Sequence, residues 1–101
     1  MPPAARVTDA VVTGHPCDAA TTIASTLQST VTISGLLGAV VGAPMTPHNF
    51  LSGGSCVPHP AQVVNVGSAT VFLGGIPAAR LGDSADLGAI SSGAPNVIIG
   101  G

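Results

Sequence analysis

The stretch GSATVFLGGIPAARLGDSAD, residues 67–86, decides the fold. Thr70-Val71-Phe72-Leu73 reads as a short strand, β-branched and aromatic and free of charge. Gly74-Gly75 supplies a two-residue turn able to take positive φ, residues 77–81 return, and Gly82-Asp83 ends the unit. Pro77 falls at the start of the return strand, where a missing N–H costs least.

The unit recurs. Residues 93–101, GAPNVIIGG, align without a gap with residues 67–75 and stop at the turn. The missing return half stands at the other end of the chain. Pro3-Ala4-Ala5-Arg6-Val7-Thr8-Asp9 aligns with Pro77-Ala78-Ala79-Arg80-Leu81-Gly82-Asp83. The two ends therefore read as one hairpin cut at its turn, with Gly100-Gly101 and Met1-Pro2 flanking the cut. A fainter third copy, residues 30–42, aligns with residues 70–82, Val40 standing for Arg80; just beyond it, Ala43 stands for Asp83. Three such hairpins in one chain imply approximate threefold symmetry within a monomer.

The twice-present Pro-Ala-Ala-Arg (residues 3–6 and 77–80), the block GSATVFLGGIPAARLGD and the terminal GAPNVIIGG resemble the PAAR-repeat family over nearly the whole chain, with looser matching at residues 17–29 and 49–66. The resemblance implies a mainly β fold: a small conical, pseudo-threefold assembly of short hairpins. It also implies a zinc ion near the apex. Members of that family sharpen the trimeric β-helical spike of contractile injection machines, among them type VI secretion systems, phage tails and related particles.

At 101 residues the chain reads as one domain, residues 1–101, with no extension domain. A chain this short often needs a staple, a metal or a partner. Charged residues make up 6% of it, against about a quarter in ordinary domains. Lys, Glu, Trp and Tyr are absent, and with Arg6 and Arg80 as the only arginines there is no electrostatic footing for nucleic acid. A charge-poor surface points to an extensive contact surface or to a Gly/Ala-rich β-fold that needs little charge. Mean hydropathy is +0.61, but the longest apolar run, residues 35–45, contains Gly and Pro and is too short to cross a bilayer as a helix. The start, MPPAARVTDAVV, has no basic segment followed by an apolar one. The expectation is synthesis in the cytoplasm without a signal peptide, and hence free thiols at Cys17 and Cys56, although a disulfide is open to them.

Residues 19–29 read as strand or coil, and residues 43–67 as a long Pro/Gly/Ser-rich loop. Such loops in compact domains are usually functional or tied down. All three histidines lie in segments that follow hairpins. His15 comes six residues after Asp9 and His48 five after Ala43, so the two hold nearly equivalent places in two repeats. The third repeat has Gly88 and Ala89 there, and the long loop instead supplies Cys56 and His59 as Cys-x-x-His. Three imidazoles and one thiolate make a closed tetrahedral zinc set: His15, His48, Cys56 and His59. Cys17, two residues after His15, is the alternative thiolate. The family resemblance carries over to His15 in Gly-His and to His48 in Pro-His. It departs at the third position, where family members often have Cys and His adjacent and Val57-Pro58 intervene here. Arg6 and Arg80 each stand three residues before an Asp, a spacing that pairs them with Asp9 and Asp83 at the base of each hairpin.

No Glu is present to act as a base beside a metal, and Gly53-Gly54 is not followed by Lys and a helix as a phosphate loop would be. The expected function is therefore structural. The chain would be a monomeric spike tip, one copy per spike trimer, with no enzymatic activity and a bound zinc ion. It would touch the target membrane transiently as it pierces, and effector cargo could travel with it. Ile99 is a test position on its docking base. The alternatives are a small zinc hydrolase, which would leave one coordination position open, and a secreted adhesive module stapled by a Cys17–Cys56 disulfide.

Overall fold

Thr32 faces Leu37, Phe72 faces Pro77, and Ile98 faces Pro3. These are the same pair of repeat positions three times over, in one register. The computed structural model describes residues 2–15, 17–59 and 62–99. Among them lie ten short strands and no helix, within principal extents of 41 × 24 × 22 Å. The strands are β1 (Ala10–Val12), β2 (Ala20–Thr22), β3 (Thr32–Ile33), β4 (Leu36–Leu37), β5 (Asn49–Ser52), β6 (Ser55–Pro58), β7 (Phe72–Leu73), β8 (Ile76–Pro77), β9 (Ser84–Ala85) and β10 (Gly88–Ile90). The pairing of Pro3 with Ile98, and the Ile99 amide on the Pro2 carbonyl at 2.9 Å, join the two halves of the split hairpin. The turn expected at Gly100-Gly101 and Met1 lies outside the described residues.

The hairpins are shorter than the sequence implies. β7 and β8 pair over two residues a side, and then the return segment leaves its own hairpin for a neighbouring repeat. Ala78 pairs with Val40, Gly38 with Arg6, and Ala4 with Arg80. The cycle closes on the axis. The Ala5 amide donates to the Ala79 carbonyl (3.0 Å), Ala79 to Ala39 (2.9 Å) and Ala39 to Ala5 (3.0 Å). All three alanines are fully buried, because only a methyl group fits where three backbones converge. Pairing between repeats wins over longer hairpins because it leaves no inner edge unpaired.

Beyond this ring each repeat forms a second hairpin. β1 pairs with β2, β9 with β10, and Pro44 bridges to Val63. The three are joined cyclically by the pairs Val11 with Ile90, Ile23 with Met45, and Val64 with Ala85. Val11, Ile23, Met45, Val64, Ala85 and Ile90 fill the core on this side of the ring, and Ile33, Leu73 and Ile99 fill it on the hairpin side. Ile99 is thus buried, and by strand alternation its neighbour Ile98, half exposed like Phe72, is the one that faces outward. The Arg-Asp pairs form as expected. Arg6 holds Asp9 through Nε and Nη2 at 3.1 and 3.2 Å, and Arg80 holds Asp83 at 3.0 and 2.9 Å.

Residues 43–67, expected as a loop, contain the longest hairpin. β5 and β6 pair from Asn49–Pro58 to Ser52–Ser55, and Gly53 and Gly54 make the turn at φ +58° and +81°. The signal was the same Gly-Gly punctuation that marks β7–β8. Residues 19–29 give β2 followed by a segment without regular structure.

Candidate metal centre

The second hairpins differ in how their strands connect, and the connections carry the site. Between β1 and β2, Thr13 ties the connection together. Its Oγ1 donates to the Asp18 carbonyl at 2.7 Å and its amide to the Ala19 carbonyl at 2.9 Å, which presents His15. Gly14, at φ +79°, lies so close to the neighbouring connection that a Cβ would stand 2.3 Å from the Leu87 carbonyl oxygen. In the second repeat the connection expands into β5–β6. His48 and His59 flank its base, the His59 amide donating to the His48 carbonyl at 2.9 Å. In the third it shrinks to the two-residue turn Asp86-Leu87, with Asp86 at φ +54°. Asp86 is anchored by its amide on Val63 and by Asn65 Nδ2 on its carbonyl. The strands that flank these connections pack on one core cluster, and the β3–β4 and β7–β8 hairpins on the other.

His15, His48, His59 and Asp86 bring one donor atom each within 4.8 Å of one another. The Asp86 carboxylate is central. Its Oδ2 lies 2.9 Å from His15 Nε2, 2.7 Å from His48 Nε2 and 3.5 Å from His59 Nδ1, with the Asp86 side chain fully buried. Its Oδ1 is buried and has no hydrogen-bond partner. Burial pushes the Asp86 carboxyl up, but hydrogen bonds from His15 and His48 and the charge of His15 and His59 outweigh it and hold the group below its usual range. His15 stacks on His48 with ring centroids 5.2 Å apart, His59 stands edge-on to both, and Phe50 covers His59 at 4.6 Å.

The donor chemistry fits a divalent cation. His48 Nδ1 lies 3.0 Å from the Thr46 carbonyl, which accepts and so places the ring proton on Nδ1. His48 Nε2 is then the ring atom that faces the Asp86 oxygen at 2.7 Å and His59 Nδ1 at 3.3 Å, with a proton when it donates to Asp86 and a lone pair when a cation stands between them. Lone pairs converging in a buried space repel unless a proton or a cation lies among them. A site of three imidazoles and one carboxylate suits zinc and its neighbours, and four protein donors describe a closed site.

The structure brings together His15, His48 and His59 but not Cys56. The Cys56 sulfur is bonded to Cys17, so neither candidate thiolate is available as a ligand and the expectation of free thiols does not hold. The two cysteines come from the connections on either side of the centre, close enough to join. Asp86 takes the fourth position. The repeat pattern does not mark it, because Asp86 stands 71 residues from His15 and 38 from His48 in sequence. Elimination could have found it. Of four acidic residues, Asp9 and Asp83 belong to arginines, which leaves Asp18 and Asp86.

The family model of the PAAR motif matches residues 53–101, from the β5–β6 turn through the last hairpin strand. That match supports membership of the PAAR-repeat family. Its members are spike-tip components of contractile injection systems, with a structural rather than an enzymatic role. No curated protein matches the chain. The matched PAAR half contains His59 and Asp86. His15 and His48 come from the other half, which the threefold repeat folds onto it.

Proposed function

We propose that this protein is the pointed cap of a trimeric β-helical spike, stiffened by zinc at its far end. The observation that carries the reading is the closed threefold hydrogen-bond cycle of Ala5, Ala39 and Ala79. It lets a single chain present three nearly equal hairpins to a threefold partner without itself trimerising. Around the β3–β4 and β7–β8 end, exposed Leu36, Phe72 and Ile98 form an apolar, charge-poor base suited to the end of a β-helix. His15, His48, His59 and Asp86 hold the ion, whose charge offsets the buried carboxylate and ties three connections together. Carried as part of the injected assembly, the tip helps to pierce the target membrane and accompanies any cargo. Four converging protein donors favour this structural role over a zinc hydrolase, which would keep a position for water. Native mass spectrometry of the protein mixed with its cognate spike tests the reading. One chain per trimer is expected. Three chains per trimer, or no association, would overturn it.

A further inference from the structure

We propose that the Cys17–Cys56 disulfide is a redox latch on the metal centre, one that sets how fast the ion can leave. The inference rests on the metal reading above. Three of the four donors belong to two segments, the 13–19 connection with His15 and the β5–β6 hairpin with His48 and His59 at its base. In the third repeat the same connection is only the two-residue turn Asp86-Leu87, and most of β5–β6 is exposed. Beside the ring contacts of His15 with His48, Phe50 and His59, three links tie the two segments among the described residues. The Asn49 amide donates to Asp18 Oδ2 at 2.7 Å, the Asp18 amide donates to the Asn49 carbonyl at 3.3 Å, and Cys17 is bonded to Cys56. The first two are hydrogen bonds at an exposed position, individually weak against water. The disulfide is the one covalent link, and both of its residues are exposed to solvent and to thiols.

Reduction proceeds by exchange. A thiol of the reductant attacks one sulfur as thiolate, forms a mixed disulfide and expels the other cysteine as thiolate. A second thiol of the reductant resolves the mixed disulfide. Two electrons and two protons pass to Cys17 and Cys56, and the reductant leaves as its own disulfide. The His15 segment then loses its covalent tie to β5–β6, and the centre opens more readily on that side. Oxidised, the two segments stay near one another even when one donor lets go, so rebinding outruns escape.

The test is the rate at which a coloured chelator takes zinc from the loaded protein. Three samples are compared: oxidised protein, protein reduced with a phosphine and capped with N-ethylmaleimide, and the Cys17→Ser/Cys56→Ser double variant. The capped and double-variant proteins should lose zinc at least about tenfold faster than the oxidised protein, the scale seen when a supporting contact of a metal ligand is lost. Both should still melt as folded β-protein. Equal rates would overturn the latch. In a reduced, uncapped control, release slower than from the oxidised protein would overturn it too, because a thiolate would then have joined the ion. Unfolding of both altered forms would make the disulfide a staple of the whole fold and refute the latch. Zinc absent from all three samples would instead refute the metal reading itself.

Discussion

The amide of Ala5 donates to the carbonyl of Ala79 across 74 residues of sequence, at 3.0 Å, and both side chains are fully buried. With Ala39 this closes a triangle of backbone at the centre of the molecule. A larger side chain there has nowhere to go. Ala79→Leu should destabilise the protein by about 1–3 kcal/mol, the usual cost of overpacking a close-packed core. Ala69→Leu, at an exposed position, should change little. Chemical denaturation of the two variants decides it, and equal midpoints would mean that the axis is loosely packed.

Purified protein should contain about one zinc per chain. His48→Ala and Asp86→Asn should each lower metal content and the melting temperature together, because His48 and Asp86 both belong to the centre. Cys56→Ser should leave equilibrium zinc content near that of the parent, since its sulfur is committed to Cys17. Elemental analysis checks both statements. Loss of zinc in Cys56→Ser with retention in Asp86→Asn would reverse the assignment of the fourth donor.

Gly88 is not among the positive-φ glycines, yet a Cβ on it would stand 1.9 Å from the Val12 carbonyl oxygen and 3.0 Å from the Gly14 amide. Gly88→Ala must push β10 away from β1, two residues from Asp86 and beside the segment that bears His15. We expect more than about 2 kcal/mol of destabilisation, in the tail reserved for backbone clashes, and reduced zinc content. A variant that melts like the parent would show that β1 and β10 have room to separate.

Ile98 and Phe72 occupy the same place in two repeats, and both are half exposed at the hairpin end. Ile98→Lys should weaken docking to the spike while zinc content stays unchanged. Ile99→Lys should instead unfold the protein, because Ile99 is only 4% exposed. Docking of the unaltered protein should depend weakly on salt, because few ion pairs are available to be screened. Mass spectrometry of mixtures at two ionic strengths reads all three outcomes, and wild-type docking by Ile98→Lys would put the interface elsewhere.

The sequence by itself determined the repeat, the mainly β class and the Arg-Asp pairs. Gly-Gly turns, Pro-Ala-Ala-Arg and the Arg-x-x-Asp spacing act over a few residues, and local chemistry settles them. It also marked His15 and His48, because equivalent places in a repeat return to the same end of the fold, and His59 through the Cys-x-x-His of the long loop. What the tertiary structure decided was everything that depends on which connections meet. The return strands left their own hairpins for their neighbours because closing a cycle satisfies backbone groups that a longer hairpin would leave at an edge. Whether Cys17 faced an ion or Cys56 could be known only once two connections of unequal length had been folded side by side. Asp86 entered the centre for a similar reason. A carboxylate on a two-residue turn reaches three imidazoles only when the axis brings that turn beneath them.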